Sequence, residues 1–169
     1  PSIKHATPWY RQTTEFTCGP AALIMAMASL KADQVCTQSL EIEIWREATT
    51  VFMTSGHGGC HPFGIALAAH KRGFYAEAWV NVTTPLFIDG VRDEQKKQVM
   101  TLVHSQFTDQ CLQAGIAINH QDISQYQVWD WLQQGYSVII LISTYRLDGK
   151  KTPHWVVAVG MDEQCIYVH

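Results

Sequence analysis

The chain has no surplus of positive charge: 12 Lys and Arg stand against 15 Asp and Glu in 169 residues, a net charge of −3. Without a basic stripe to neutralise phosphates, neither nucleic acid nor an anionic membrane surface is an expected partner. It lacks any apolar run near the ~20 residues that a membrane-spanning helix needs. No apolar core follows Lys4 in the opening "PSIKHATPWY", so this stretch is not a signal peptide. The five cysteines, at 18, 36, 60, 111 and 165, are odd in number and irregular in spacing. That argues against a disulfide framework and for a reducing compartment, the cytoplasm. Repeats and low-complexity linkers are absent as well, so residues 1–169 are read as one domain. Its start without Met and its end inside a strand-like run suggest a piece of a longer chain.

What is present is globular: 47% apolar and 16% charged residues. "CGPAALIMAMASL" predicts a helix over 17–30, with Thr17 able to cap it and Pro20 suited to its first turn. It is apolar almost all round and should therefore be buried. A second helix is expected over 37–47, with Leu40, Ile44 and Trp45 on one face and charges opposite. Pro62 opens a third, which Gly73 ends. "FYAEAWVNV" alternates like a strand, and an amphipathic helix over 93–113 should turn Val99, Leu102, Val103, Phe107 and Leu112 inward. Ser124 and Gln127 form a capping box for a helix that stops at Gly135. The last quarter holds three strands, "YSVIILIST", "HWVVAVGM" and "CIYVH", with "MDEQ" as a hairpin turn between the last two. Helices first and antiparallel strands last make an α+β class.

"RQTTEFTCGPAAL", residues 11–23, carries the first chemical signal. A cysteine nucleophile needs its thiolate favoured, a general base, and donors for the oxyanion. A helix N-terminus supplies the first through its dipole and free N–H groups, and Cys18 falls there. The candidate base is His154, which opens the apolar strand "HWVVAVG" and is thus rigidly held yet near the surface. It follows Cys18 by 136 residues, within the interval of about 130–150 typical of papain-type enzymes. Gln12, just upstream, offers an amide N–H which, with the Cys18 backbone N–H, would hold the oxyanion. Taken alone, Cys18 reads more easily as a buried structural thiol. Gln12, His154 and the chain order together turn the balance toward a nucleophile.

"TSGHGGCHP" invites a metal reading through His57, Cys60 and His61, but the spacing does not match paired-ligand clusters, and no metal is expected. No Gly-Lys-Ser/Thr follows, so this is not a phosphate loop. Its glycines suit close approach of a peptide backbone, which makes His57, Gly58 and Gly59 candidates for lining a substrate cleft. Trp155, next to the base, is a further candidate and is expected to pack across the sheet from it.

With "Q-TTEFT-CGPAAL" and "HWVVAVG" in view, the chain resembles the double-glycine leader peptidases, papain-like cysteine peptidases often fused to bacteriocin exporters. The resemblance implies a papain-like fold, with Cys18 as nucleophile, His154 as base and Gln12 as oxyanion donor. It implies a peptide or protein substrate cut after small residues such as Gly-Gly, and no cofactor. "LEIEIWREATTVFMTSGHGGCHPFGIALAAHKRGF" and "PLFIDGVRDEQKKQVM" are similar to a bacterial branch of leader-peptidase-like domains, some beside an N-acetyltransferase module, so a neighbouring domain is expected. In that family an aspartate orients the histidine from the end of the next strand. Aligned on His154, that position falls immediately after His169, where an Asp is expected; Asp162, in the hairpin turn, and Asp148, in the loop before the base, are poor substitutes. Three functions fit these residues: a cysteine peptidase, an acyl transferase working through the same thioester, and a non-catalytic peptide-binding domain.

Overall fold

A computed structural model describes residues 1–50, 58–83, 85–88, 91–143 and 153–169. In chain order its elements are β1 (Ile3–Lys4), α1 (Cys18–Leu30), α2 (Gln38–Ala48), α3 (Pro62–Lys71), β2 (Glu77–Val80), α4 (Glu94–Ala114), β3 (Ala117–His120), α5 (Gln125–Gln133), β4 (Val138–Ser143), β5 (Pro153–Met161) and β6 (Ile166–Val168). They fall into two compact units, one made of Pro1–Ile42 with Ser124–His169 and the other of Glu43–Ile123.

In the first unit the helical N-terminal part packs on a C-terminal antiparallel sheet, the α+β arrangement of a papain-like fold. The central strand is β5. It pairs antiparallel with β4 from Pro153 to Ala158, with β1 at Gly160 and Met161, and with β6 between Ala158 and Met161. Helix α1 has no polar face to give to water, and residues Gly19–Met27 are all buried, packed chiefly on β5 and also on β4. Each Leu, Ile or Met so removed from solvent contributes about 1.5–3 kcal/mol before its ordering cost. Helix α5 starts on a Ser124 hydroxyl that accepts the Gln127 N–H, and it buries Val128 and Leu132 against Ala158 and Met161. The "MDEQ" turn closes as expected, with the Asp162 N–H on the Cys165 carbonyl.

The second unit is built around Phe63, Ala66, Ala78, Val103, Phe107, Cys111 and Ile116. Here β2 and β3 pair in parallel, from Glu77 opposite Ala117 to Val80 opposite His120, with α4 as the connection that a parallel pair requires. The residues of β3 were not legible as a strand, since Ala117–His120 reads AINH and lacks the apolar alternation of a half-buried strand. On α4 the buried stripe is Met100, Val103, Phe107 and Cys111, and Val99 packs beside it. Leu102 and Leu112 correct the expectation, being 61% and 67% exposed. Each is one residue, or about 100° of helix, away from a member of that stripe, so the helix turns both outward. Gly115 in the left-handed region ends α4, and Gly73 follows the α3 cap Arg72 in the same conformation.

Candidate active site

Thr17 precedes α1 and Cys18 is its first residue, so the thiol sits at the positive end of a buried helix. The capping expectation fails in an informative way. Thr17 occupies the N-cap position, yet its side chain makes no hydrogen bond to the first turn. Its hydroxyl donates instead to Glu41 Oε2 and pairs with Thr14 Oγ1 at 2.6 Å. Glu41 is completely buried. It also accepts the Tyr10 hydroxyl at 2.7 Å, the Thr13 hydroxyl at 2.9 Å and the Thr13 N–H at 2.9 Å. Burial works against its charge, but the bonds from Thr17, Thr13 and Tyr10 outweigh it and hold the carboxyl below the usual range. Burial and the adjoining Glu41 push the Tyr10 phenol up to about 12.

The sheet meets this helix start at Trp155. In an antiparallel ladder, amides two residues apart point to the same edge. The Val157 N–H reaches the β6 edge and donates to the His169 carbonyl at 3.2 Å, and His169 N–H returns the bond at 2.9 Å. The Trp155 N–H points to that edge too, and its acceptor is the sulfur of Cys18, at 3.5 Å. Across a trans peptide the Trp155 nitrogen lies about 2.4 Å from the His154 Cα, so the sulfur stands within about 6 Å of that Cα. An imidazole side chain spans such a distance. Both Cys18 and His154 are half-buried. His154 is anchored opposite Ile142 in β4. Trp155 is buried and, by strand alternation, points to the face opposite His154.

Gln12 is half-buried in the segment that leads to Cys18, and its Nε2 donates to the Thr14 carbonyl at 2.8 Å. Thus the fold gathers Gln12, Cys18, His154 and Trp155 in one unit. Gly58 and Gly59 belong to the other unit, where their carbonyls serve the fold: Gly58 accepts Trp45 Nε1 at 2.9 Å, and Gly59 accepts the Thr50 N–H at 3.1 Å. His57 and Asp148 lie outside the described residues. Asp162 is used within its own turn, accepting the Gln164 and Cys165 N–H groups and the Tyr167 hydroxyl.

Of the zinc-type residues, Cys60 is buried, and His61 is committed to α3: Nδ1 accepts the Phe63 N–H at 3.0 Å and Nε2 meets His104 Nδ1 at 2.9 Å. Among the described residues no group of three or more His, Cys, Asp or Glu is placed to hold a metal ion. The five cysteines are not joined to one another in disulfides, and burial pushes the Cys111 thiol up to about 11. No helix among the described residues is long and apolar enough to cross a membrane.

Glu41 is the site residue that sequence reasoning missed. The signal was there: Glu41, Ile44, Trp45 and Ala48 are spaced i, i+3, i+4, i+7, which puts one carboxylate in an otherwise apolar stripe. Glu41, Ile44 and Ala48 are all fully buried.

The family model described as Peptidase_C39 like family matches residues 7–169. No curated protein and no solved structure matches the chain.

Proposed function

The chain belongs to the Peptidase_C39 like family, related to the double-glycine leader peptidases, and from that premise we propose that it is a cysteine peptidase. The observation that carries the proposal is the Trp155 N–H on the Cys18 sulfur, which joins an early helix mouth to the residue beside His154. In this reading the Cys18 sulfur adds to a peptide carbonyl carbon. The oxyanion takes hydrogen bonds from the Cys18 N–H and from Gln12. Of the two N–H groups on the Gln12 amide, one is held by the Thr14 carbonyl, which orients the amide and leaves the other for the oxyanion. His154 gives a proton to the leaving nitrogen as the C–N bond breaks. Water then attacks the thioester, and the acid product and the thiol are released.

Residues 1–169 work as one papain-like peptidase domain in which an aspartate placed at position 170 would orient His154, and the likeness to the branch with an N-acetyltransferase module supports a neighbouring domain. The ladder register favours such a role for position 170. One step beyond the His169–Val157 pair stands opposite Val156, on the face that His154 shares. The substrate is a peptide with small residues, such as Gly-Gly, before the cut.

The test is a cleavage assay on peptides with small residues at that site, run beside iodoacetamide labelling at pH 6. Cys18 should label well ahead of the exposed Cys36 and Cys165, and Cys18→Ala and His154→Ala should each abolish cleavage. Full processing by Cys18→Ala would eliminate the proposal. Equal labelling of the three cysteines would favour a binding module.

A further inference from the structure

We propose that Glu41 is a positioning residue for the cysteine nucleophile: its buried carboxylate holds residues 10–17 so that the first turn of α1 and Gln12 stay available to the oxyanion. This rests on the peptidase reading above and adds to it a residue that acts through others.

Four hydrogen bonds converge on this carboxylate from a short stretch of chain. Oε1 accepts from the Tyr10 and Thr13 hydroxyls, and Oε2 accepts from the Thr13 N–H and the Thr17 hydroxyl. Those residues bracket Gln12 and abut Cys18. The partners are hydroxyls and an amide, not a cation. A buried carboxylate is a costly way to fill a core position, and an apolar residue of similar volume does so at least as well. What an apolar residue cannot do is organise four donors at once.

The consequence lies in the cap. An N-cap Thr ordinarily accepts an N–H from the second or third residue of its helix. Here the third is Pro20, which has no N–H, so the only usual partner is Gly19. The Thr17 hydroxyl is drawn to Glu41 instead and makes no cap bond, while the Thr17 carbonyl takes the Ala21 N–H at 3.0 Å as the first bond of the helix. The N–H groups of Cys18 and Gly19 are thereby kept at the helix mouth for a developing negative charge, in place of a side-chain oxygen that would occupy one of them.

The variants Glu41→Gln, Thr17→Val, Thr17→Ser and Tyr10→Phe test this on the chain itself. Gln keeps the shape but removes the charge, and its NH2 replaces the oxygen that received the Tyr10 and Thr13 hydroxyls, which must turn from donors into acceptors. The readouts are kcat and KM on a cleaved peptide, the iodoacetamide rate at Cys18 as a function of pH, and the thermal midpoint. Expected for Glu41→Gln and Thr17→Val is a roughly 10- to 100-fold loss in kcat with KM nearly unchanged, and an altered alkylation profile. Thr17→Ser, which keeps the hydroxyl, should restore both. If the midpoint falls while kcat and the alkylation profile stay at wild-type values, Glu41 is merely structural and the proposal is overturned. Should Glu41→Gln fail to fold, Thr17→Val and Tyr10→Phe each remove a single donor and decide the same question. If the wild type cleaves no peptide, the peptidase reading fails, yet the alkylation profile still decides whether Glu41 sets the environment of Cys18.

Discussion

Gly64→Ala isolates one close approach in the second unit. Helix α3 crosses the end of α2 at Gly64, and a Cβ built there would lie 2.7 Å from Ala48 Cα, 2.9 Å from Ala48 O and 3.0 Å from Ala48 Cβ. Carbon atoms in good contact stand about 3.5–4.0 Å apart, so the shortfall is near 1 Å against atoms that cannot rotate away. Ala48 cannot retreat freely either, because its carbonyl accepts the His61 N–H at 2.9 Å and the residue is fully buried. Overpacking of this kind costs about 1–3 kcal/mol, and a clash on backbone belongs at the upper end. Against it stands the gain of about 1 kcal/mol from replacing Gly by Ala inside a helix. The net expectation is a loss of about 2 kcal/mol, or a melting midpoint lowered by roughly 4–8 °C in a chain of this size. Thermal unfolding followed by far-ultraviolet circular dichroism measures it, with Gly59→Ala as the comparison, since nothing lies within 4 Å of a Cβ there. A Gly64→Ala midpoint equal to or above wild type would mean that propensity alone governs the site, and the packing argument would be refuted.

Three further outcomes are expected. Burial, followed by the charge of His104, holds His61 down at about 3. The stability tied to its neutral form is therefore complete above the unfolded value near 6.5 and is lost as pH falls from there toward 3, by about 3 kcal/mol at pH 4. His61→Asn keeps an acceptor for the Phe63 N–H but does not titrate, so chemical denaturation at pH 7 and pH 4 should show a correspondingly smaller acid loss; an identical loss would disprove the assignment. On α4, Phe107→Ala should cost about 3–5 kcal/mol while Leu102→Gln and Leu112→Gln stay within about 0.5 kcal/mol, which urea midpoints will separate. Finally, chains extended by one residue should differ: an Asp at position 170 should raise the cleavage rate above that of an Ala there by a large factor, because the acid fixes the histidine tautomer. Equal rates would remove position 170 from the mechanism.

Much of the fold was legible because local rules suffice for it. The bounds of α1, α3 and α5 follow from Pro20, from Pro62 with Gly73, and from Ser124 with Gly135, all residues whose effect is confined to a turn. The three final strands are apolar enough to be read without knowing their neighbours. Two readings on α4 failed because Leu102 and Leu112 are apolar residues just beside the stripe, and hydrophobicity does not tell the edge of a stripe from its outside. The parallel pairing of β2 with β3 was invisible, since a four-residue strand gains its identity from a partner that is distant in sequence.

The same division runs through the site. By itself the sequence determined that a cysteine begins a buried helix, that a histidine begins a core strand, and in what order they come, because those are properties of neighbouring residues. Only tertiary structure decided that the Trp155 N–H finds the Cys18 sulfur and that the Thr17 hydroxyl turns away from its own helix. Both depend on where hydrogen-bonding groups from distant segments end up. Sealed from water, the Glu41 carboxylate must find donors, and the chain that folds around it supplies them from the residues leading to the thiol.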